Sequence, residues 1–297
     1  MNTPRIYGLG TVVVDHKVIL DRLPEADTKG EVIDDHFQVG GPVPTALCLL
    51  HKLGCDTTFQ GRWSKDRFGR MIEDDLGKHG VGYHTPSLRH DSKTGFAHVW
   101  VEQSTGRRSV AAFRGSHQVE EREVHAEHLE RYDAIHLDGW STLAAIKAAK
   151  IIKRNGGKVF IDLGSPKPHL SQLLENVDHL NCPLRLIHQL FESDDSERGA
   201  YELMKFGPQE VTITDGANGA TFFDRQGHIL HEPAMDVKAV DTNGAGDTFA
   251  GAFVFATLQD WSAEKRLRFA SIAAALKCAE LGNRDALPSL VAIEACL

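Results

Sequence analysis

The stretch Asp241-Thr242-Asn243-Gly244-Ala245-Gly246-Asp247 sets two carboxylates around a run of almost side-chain-free residues. Thr248-Phe249-Ala250-Gly251-Ala252-Phe253-Val254-Phe255-Ala256 follows at once, an apolar run with no charged face. The glycines alone suit a tight turn into a buried helix. Their chemistry goes further, because glycine lets a backbone come close to a ligand and the first N–H groups of a helix lack partners. With a helix starting near Gly244, the amides of Ala245, Gly246 and Asp247 point toward one spot. A phosphate, or the charge that develops in phosphoryl transfer, is stabilised there. A carboxylate in that place repels a statically bound phosphate. Asp247 makes sense instead as a general base that takes a proton from a hydroxyl attacking phosphorus. An aspartate has a reference pKa of about 3.9 and a helix N-terminus lowers it, so Asp247 is expected to be a weak base that accepts the proton late.

The rest of the chain narrows the setting. Its 297 residues accommodate one large α/β domain or two small ones. A net charge of −8 argues against non-specific binding to nucleic acid or an acidic membrane surface. The longest apolar stretch, residues 249–258, is too short to span a bilayer. Asp15, His16 and Lys17 stand where a signal peptide needs apolar residues, so a cytoplasmic location is expected. The five cysteines form no C-x-x-C pair and read as reduced, mostly buried thiols. His125 and His128 share a helix face among glutamates, which reads as a solvated face rather than a metal site.

Strand and helix patterns alternate almost throughout. Residues 6–14, 134–137, 159–163 and 211–214 read as buried strands. Amphipathic helices are expected over 45–53, 66–79, 143–154 and 195–206, with a helical tail over 263–281. Gly54, Gly80 and Gly156 fall just past three of them, where a left-handed C-cap is wanted. Such units imply a mainly parallel sheet covered on both faces. Two segments break the pattern. Residues 18–39 are polar and end in an alternating run, and 94–113 reads as a hairpin turning at Ser104-Thr105-Gly106. Both are half-buried strands with no helix to cover them, so a small projecting sheet over a ligand cleft or a partner chain is expected. A P-loop is excluded, since no G-x-x-x-x-G-K-[ST] occurs. Gly8-Leu9-Gly10 lacks the third glycine and the helical run of a dinucleotide fingerprint.

Taken together the motifs resemble the ribokinase-like (phosphofructokinase B) family of carbohydrate kinases. D-T-x-G-A-G-D-x-F-x-G-A stands intact from Asp241 to Ala252. Gly40-Gly41-Pro42-Val43-Pro44-Thr45-Ala46, running into Lys52-Leu53-Gly54, is similar to the N-terminal signature. Gly8-Leu9-Gly10 with Asp15 matches the opening strand, and Thr214-Asp215-Gly216-Ala217-Asn218-Gly219 the nucleotide segment. The resemblance implies a three-layer α/β/α sandwich, with residues 1–297 as one kinase domain and a β lid formed by about 16–39 and 93–115. It implies Asp247 as catalytic base and the amides of Gly244, Ala245, Gly246 and Asp247 as anion hole. Asp15, Gly40, Gly41 and Thr45 fall on the sugar side, and Thr214, Gly216, Gly219 and Ser271 along ATP. Asp241 and Asn243 fall where a monovalent cation, usually potassium, is held. Lid candidates for specificity are His98, Trp100, Arg107 and Arg114, together with the loop at Asp138-Gly139-Trp140.

Departures from the pattern carry information. Thr45 stands where the family has asparagine, which shortens the reach to a substrate hydroxyl. Gly-Gly-Pro-x-x-Thr-Ala and Ala274-Ala275-Leu276-Lys277-Cys278 are similar to the branch with sulfofructose kinase, but that enzyme's sulfonate-binding arginine is replaced around Gly139-Trp140, so a sulfosugar is not supported. Residues 18–41 align without a gap to ketohexokinase, placing Asp27 where that enzyme's lid reaches a partner's active site. The N-x-x-E that organises magnesium reads Asn181-Cys182-Pro183-Leu184 and lacks its glutamate. The expected function is ATP- and Mg²⁺-dependent phosphorylation of a small sugar or polyol by a homodimer joined through the lid. The alternatives are a catalytically reduced sugar- or nucleotide-binding regulator on the same fold, and a nucleoside kinase.

Overall fold

The apolar run 6–14, read above as one strand, is two. In the computed structural model, which describes residues 3–84, 92–104 and 107–297, β1 (Arg5–Leu9) ends before Gly10 and β2 (Val13–Leu20) belongs to a different sheet. Hydropathy does not mark the crossing because residues on both sides of it are buried. The crossing itself is pinned: the Gly10 amide donates to the Gln60 carbonyl at 3.2 Å and the Thr11 amide to Asp138 Oδ2 at 2.7 Å.

The remaining strands are β3 (Val32–Gly40), β4 (Asp56–Gln60), β5 (Gly82–Tyr83), β6 (Phe96–Glu102), β7 (Arg108–Phe113), β8 (Ala134–Leu137), β9 (Lys158–Asp162), β10 (His179–Pro183), β11 (Glu210–Thr214), β12 (Ala220–Asp224) and β13 (Ile229–Glu232). Nine of them form the main sheet in the order β13-β12-β11-β10-β9-β8-β1-β4-β5. Its pairs are parallel except at one edge, where β11, β12 and β13 run antiparallel. Alternation along β1 sends Ile6 into one buried cluster and Tyr7 and Leu9 into another. That split is the signature of a sheet covered on both faces, and it gives the three-layer α/β/α sandwich.

The helices begin slightly away from the periodic runs, because their caps lie outside those runs. Pro42–Lys52 starts with proline in its first turn, where the missing N–H costs nothing. Arg67–Lys78 and Ser196–Met204 are capped by the side chains of Asp66 and Asp195, and Thr142–Arg154 follows Ser141. Gly54, Gly80 and Gly156 do take positive φ at the C-terminal ends. The tail helix Ala263–Cys278 is shorter than expected, and the Cys278 carbonyl accepts the amides of Val240 and Asp241 at 2.7 and 3.1 Å.

The second sheet, in the order β3-β2-β6-β7, is the lid. β2 pairs antiparallel with β3 and parallel with β6, and β6 with β7 forms the hairpin; Thr105 and Gly106 of its turn lie outside the described residues. Register sorts the faces. Asp15 pairs with Ala97 and Gln38, Lys17 with Val99, and Val101 with Arg108, so Asp15, Lys17 and Arg108 share one face. His98 and Trp100 stand on the other. No helix among the described residues is long and apolar enough to cross a membrane.

Candidate active site

The helix Ala245–Leu258 is buried over residues 248–257 and carries only one acidic residue in its first turn, Asp247. Gly244 caps it in a left-handed conformation, φ 80°, and a Cβ there would lie 2.3 Å from Asn283 Oδ1. Of the four amides expected in the anion hole, that of Ala245 donates to the Thr242 carbonyl at 3.3 Å. The amides of Gly246 and Asp247 have no acceptor among the described residues, and a Cβ on Gly246 would meet nothing within 4 Å. Two backbone donors therefore face open space at the positive end of a buried helix.

That space is a cleft of ≈ 740 Å³. Thr214 at the end of β11, Gly216, Gly219 and Ser271 line it beside Asn243, Gly244 and Asp247. Ser271 is buried, and its hydroxyl has no partner among the described residues. Gly219 lies so close to the Glu232 carbonyl, 2.2 Å from an ideal Cβ, that it also serves the β12–β13 hairpin. The structure brings these nucleotide-side candidates together.

On the sugar side, Asp15 projects from β2 toward Gly40, whose ideal Cβ would be 2.6 Å from Asp15 Oδ2. Burial raises the Asp15 carboxyl to about 6, against a hydrogen bond from Gln38 and the charge of Arg284. Gly41, φ 114°, opens the helix Pro42–Lys52 beside it. Asp15, Gly40, Gly41 and Thr45 all stand outside the lining of the ≈ 740 Å³ cleft, and Thr45 is also closed off. It is fully buried, and its hydroxyl accepts from Asn283 Nδ2 at 3.3 Å. Its side chain is too short to pass Asn283. His98 and Trp100 also leave the site, since register turns them away from Asp15. Arg114 does approach the expected loop, with its guanidinium 4.1 Å from the Trp140 ring centroid.

Asp247 is not the weak base expected of a helix N-terminus. Burial first, then the charges of Asp138 and Asp15, raise its carboxyl to about 6, while Lys277 opposes them. Desolvation and two like charges outweigh the dipole. Asp138 accepts from the Thr11 amide at 2.7 Å and the Trp140 amide at 2.9 Å.

Several functional residues escaped the sequence reading. Asp162 ends β9 in the same cleft, and burial together with Asp247 raises it to about 7 despite a hydrogen bond from Asn181. That bond, Asn181 Nδ2 to Asp162 Oδ1, is 2.8 Å, and Asn181 Oδ1 is buried without a partner among the described residues. A carboxylate thus accompanies Asn181 although the glutamate at position 184 is missing. Arg108 and Arg185 bring two guanidinium groups to the same lining. Arg185 immediately follows the broken motif, so a search for charge rather than for glutamate finds it. Among the described residues no cluster of three or more His, Cys, Asp or Glu side chains is placed to hold a metal.

Each oxygen of Asp241 already accepts a hydrogen bond. Its carboxylate accepts from the amides of Asn243 at 3.0 Å and Gly282 at 3.2 Å, and Lys17 lies 3.7 Å away. Its main-chain carbonyl accepts from Lys277 Nζ at 2.7 Å.

The pattern of the pfkB family carbohydrate kinases matches residues 5–290. Ribokinase of Arabidopsis thaliana is 29% identical, over 97% of this chain and 79% of its own length. Ketohexokinase of Mus musculus is 25% identical, over 94% and 97%. The structure of Arabidopsis thaliana ribokinase complexed with ribose and ATP is similar with a TM-score of 0.85 and 26% identity, covering 99% of this chain and 98% of that one.

Proposed function

The chain belongs to the pfkB family of carbohydrate kinases, and from that premise we propose that it transfers the γ-phosphoryl group of ATP to a primary hydroxyl of a small sugar or polyol, with Asp247 as the base. The observation that carries this reading is the pairing of two unpartnered amides, Gly246 and Asp247, with the Asp247 carboxylate at one mouth of one cleft. The amides stabilise charge on the transferred group, and the carboxylate takes the proton released as the hydroxyl oxygen bonds to phosphorus. The bond to the β-phosphate oxygen breaks, ADP leaves, and the proton returns to solvent. A carboxyl poised near 6 is largely ionised at neutral pH yet basic enough to accept that proton.

Thr214, Gly216, Gly219 and Ser271 bind the nucleotide, and Arg108 and Arg185 meet its phosphates through charge-assisted hydrogen bonds. Asp15 orients the sugar beside Gly40. Magnesium, bound with ATP, supplies charge neutralisation at the phosphates. Asp162 and the free Asn181 Oδ1 fit its water shell, a task that needs oxygen donors but not a direct ligand. The lid leaves Val32, Ile33 and Val110 more than half exposed, which supports a homodimer that covers them.

Turnover of ATP measured across a panel of pentoses, hexoses and polyols with Mg²⁺ tests the reading. One or more sugars are expected to raise ATP consumption at least about tenfold above the sugar-free rate, a gap of about 1.4 kcal/mol in the barrier. Sugars that raise the melting temperature with no turnover by any would sink it.

A further inference from the structure

A monovalent cation beside the anion hole is implied by family resemblance, and the residues here do not fit one. The position is taken. Lys277, on the tail helix Ala263–Cys278, is fully buried and donates to the Asp241 carbonyl at 2.7 Å. Asp241 opens the loop that ends in the unpartnered amides, and its remaining oxygens already face the amides of Asn243 and Gly282 and the Lys17 ammonium. A free ion reaching that carbonyl has to share it with a tethered, fully buried ammonium whose like charge repels it.

We propose that the Lys277 ammonium replaces the activating monovalent cation, making this kinase independent of potassium. A buried ammonium is costly unless polar groups surround it. Here a carbonyl receives its proton and the Asp241 and Asp247 carboxylates lie within its field. It stands where an ion would, at the carbonyl from which the loop turns toward Gly244. The backbone beside it is tied to the same helix, since the amides of Val240 and Asp241 both donate to the Cys278 carbonyl. One helix therefore supplies both the charge and the anchor that fix the loop. Burial lowers the Lys277 pKa, and Asp241 is the strongest of the charges that oppose the fall.

The inference rests on the kinase reading for its activity arm but not for its binding arm. Wild-type protein is compared in KCl, NaCl and tetramethylammonium chloride at equal ionic strength, by melting temperature with and without ATP and by turnover. The three salts are expected to give turnover within about twofold of each other and melting temperatures within about 1 °C, because an ion that does not bind the folded state cannot stabilise it. Lys277→Gln and Lys277→Met are expected to lose at least about tenfold in turnover in tetramethylammonium chloride and to recover part of it in KCl. A wild-type protein that loses tenfold in turnover, or melts several degrees lower, when potassium is removed overturns the proposal. So does a folded Lys277→Gln variant as active as wild type in tetramethylammonium chloride, or one that no monovalent cation restores. Absence of turnover in every salt defeats the kinase reading alone, and the melting temperatures still decide whether potassium binds.

Discussion

The two aspartates of the 241–247 loop share a chain segment and have opposite environments. At Asp241 burial works against ionisation, yet the Asn243 amide, the ammonium groups of Lys277 and Lys17 and the Gly282 amide together hold the carboxyl below its usual range. At Asp247 burial is opposed by Lys277 alone. No described residue donates to its carboxylate, and Asp138 and Asp15 add to the rise. One end is a structural knot and the other is a reactive group held open. Carboxylate chemistry is set by the donors within reach, and a few residues of sequence can separate the extremes.

The comparison is broken most directly at the reactive end. Asp247→Asn keeps the shape and removes the base, so kcat should fall by about 10²–10⁴ with modest change in KM for ATP. In the wild type, kcat/KM should rise with pH through about 6 and then flatten, since the base works only when ionised. The groups facing it are Asp138, Asp15, Asp162 and Lys277, and a profile flat from pH 5 to 8 would remove Asp247 from the role.

Glycine substitutions separate loop shape from anion binding, with a smaller effect. A methyl group at Gly246 meets no protein atom but enters the space in front of the amides. Gly246→Ala should melt within about 2 °C of wild type, alanine being the better helix former, and lose about tenfold or more in kcat/KM. Gly244→Ala forces a side chain into φ 80° against Asn283 Oδ1. It should destabilise the fold by about 1–3 kcal/mol. Equal melting temperatures for the two variants would contradict this division.

The least effect is expected on stability, at Asp162. Its folded carboxyl, raised to about 7, contributes stability that is fully present below its ordinary value of 3.8 and lost as pH rises through 7. Asp162→Asn removes that loss, so its melting temperature should exceed wild type by about 2–4 °C at pH 8 and scarcely at pH 4. A shift of the same size at both pH values would show that the carboxylate's charge is not what strains the site.

What the sequence makes legible follows the range of the interactions. The D-T-x-G-A-G-D turn is local, so the helix start, the left-handed Gly244 and the position of Asp247 could all be read from neighbouring residues. The body strands were legible where a single buried run ends at a charged or turn-forming residue. Residues 6–14 misled because the chain passes from one buried sheet to another with no change in hydropathy. The raised pKa of Asp247 comes first from burial and then from Asp138 and Asp15, far away in the chain, and Asp162 meets Asn181 across two strands. Lys277 is legible in the sequence only as part of the 274–278 match, and only the fold buries it. The bond from Asn283 of the C-terminal segment to the Thr45 hydroxyl likewise joins residues far apart in the chain.

The lid joins the body where β1 crosses into β2, where β3 enters the helix Pro42–Lys52, and at both ends of the β6–β7 hairpin. Glycines mark these junctions: Gly10 lies against Asp138 and Val43, Gly40 against Asp15, and Gly95 against Val13 and Arg114. At Gly10 and Gly40 neighbouring side chains fill the space a Cβ would need. The junctions form one seam, so the small sheet is tied to the body as a plate at every crossing and is not a separable module. Variation that alters sugar choice therefore has its freest ground at the far rim of the plate, and its narrowest along the seam.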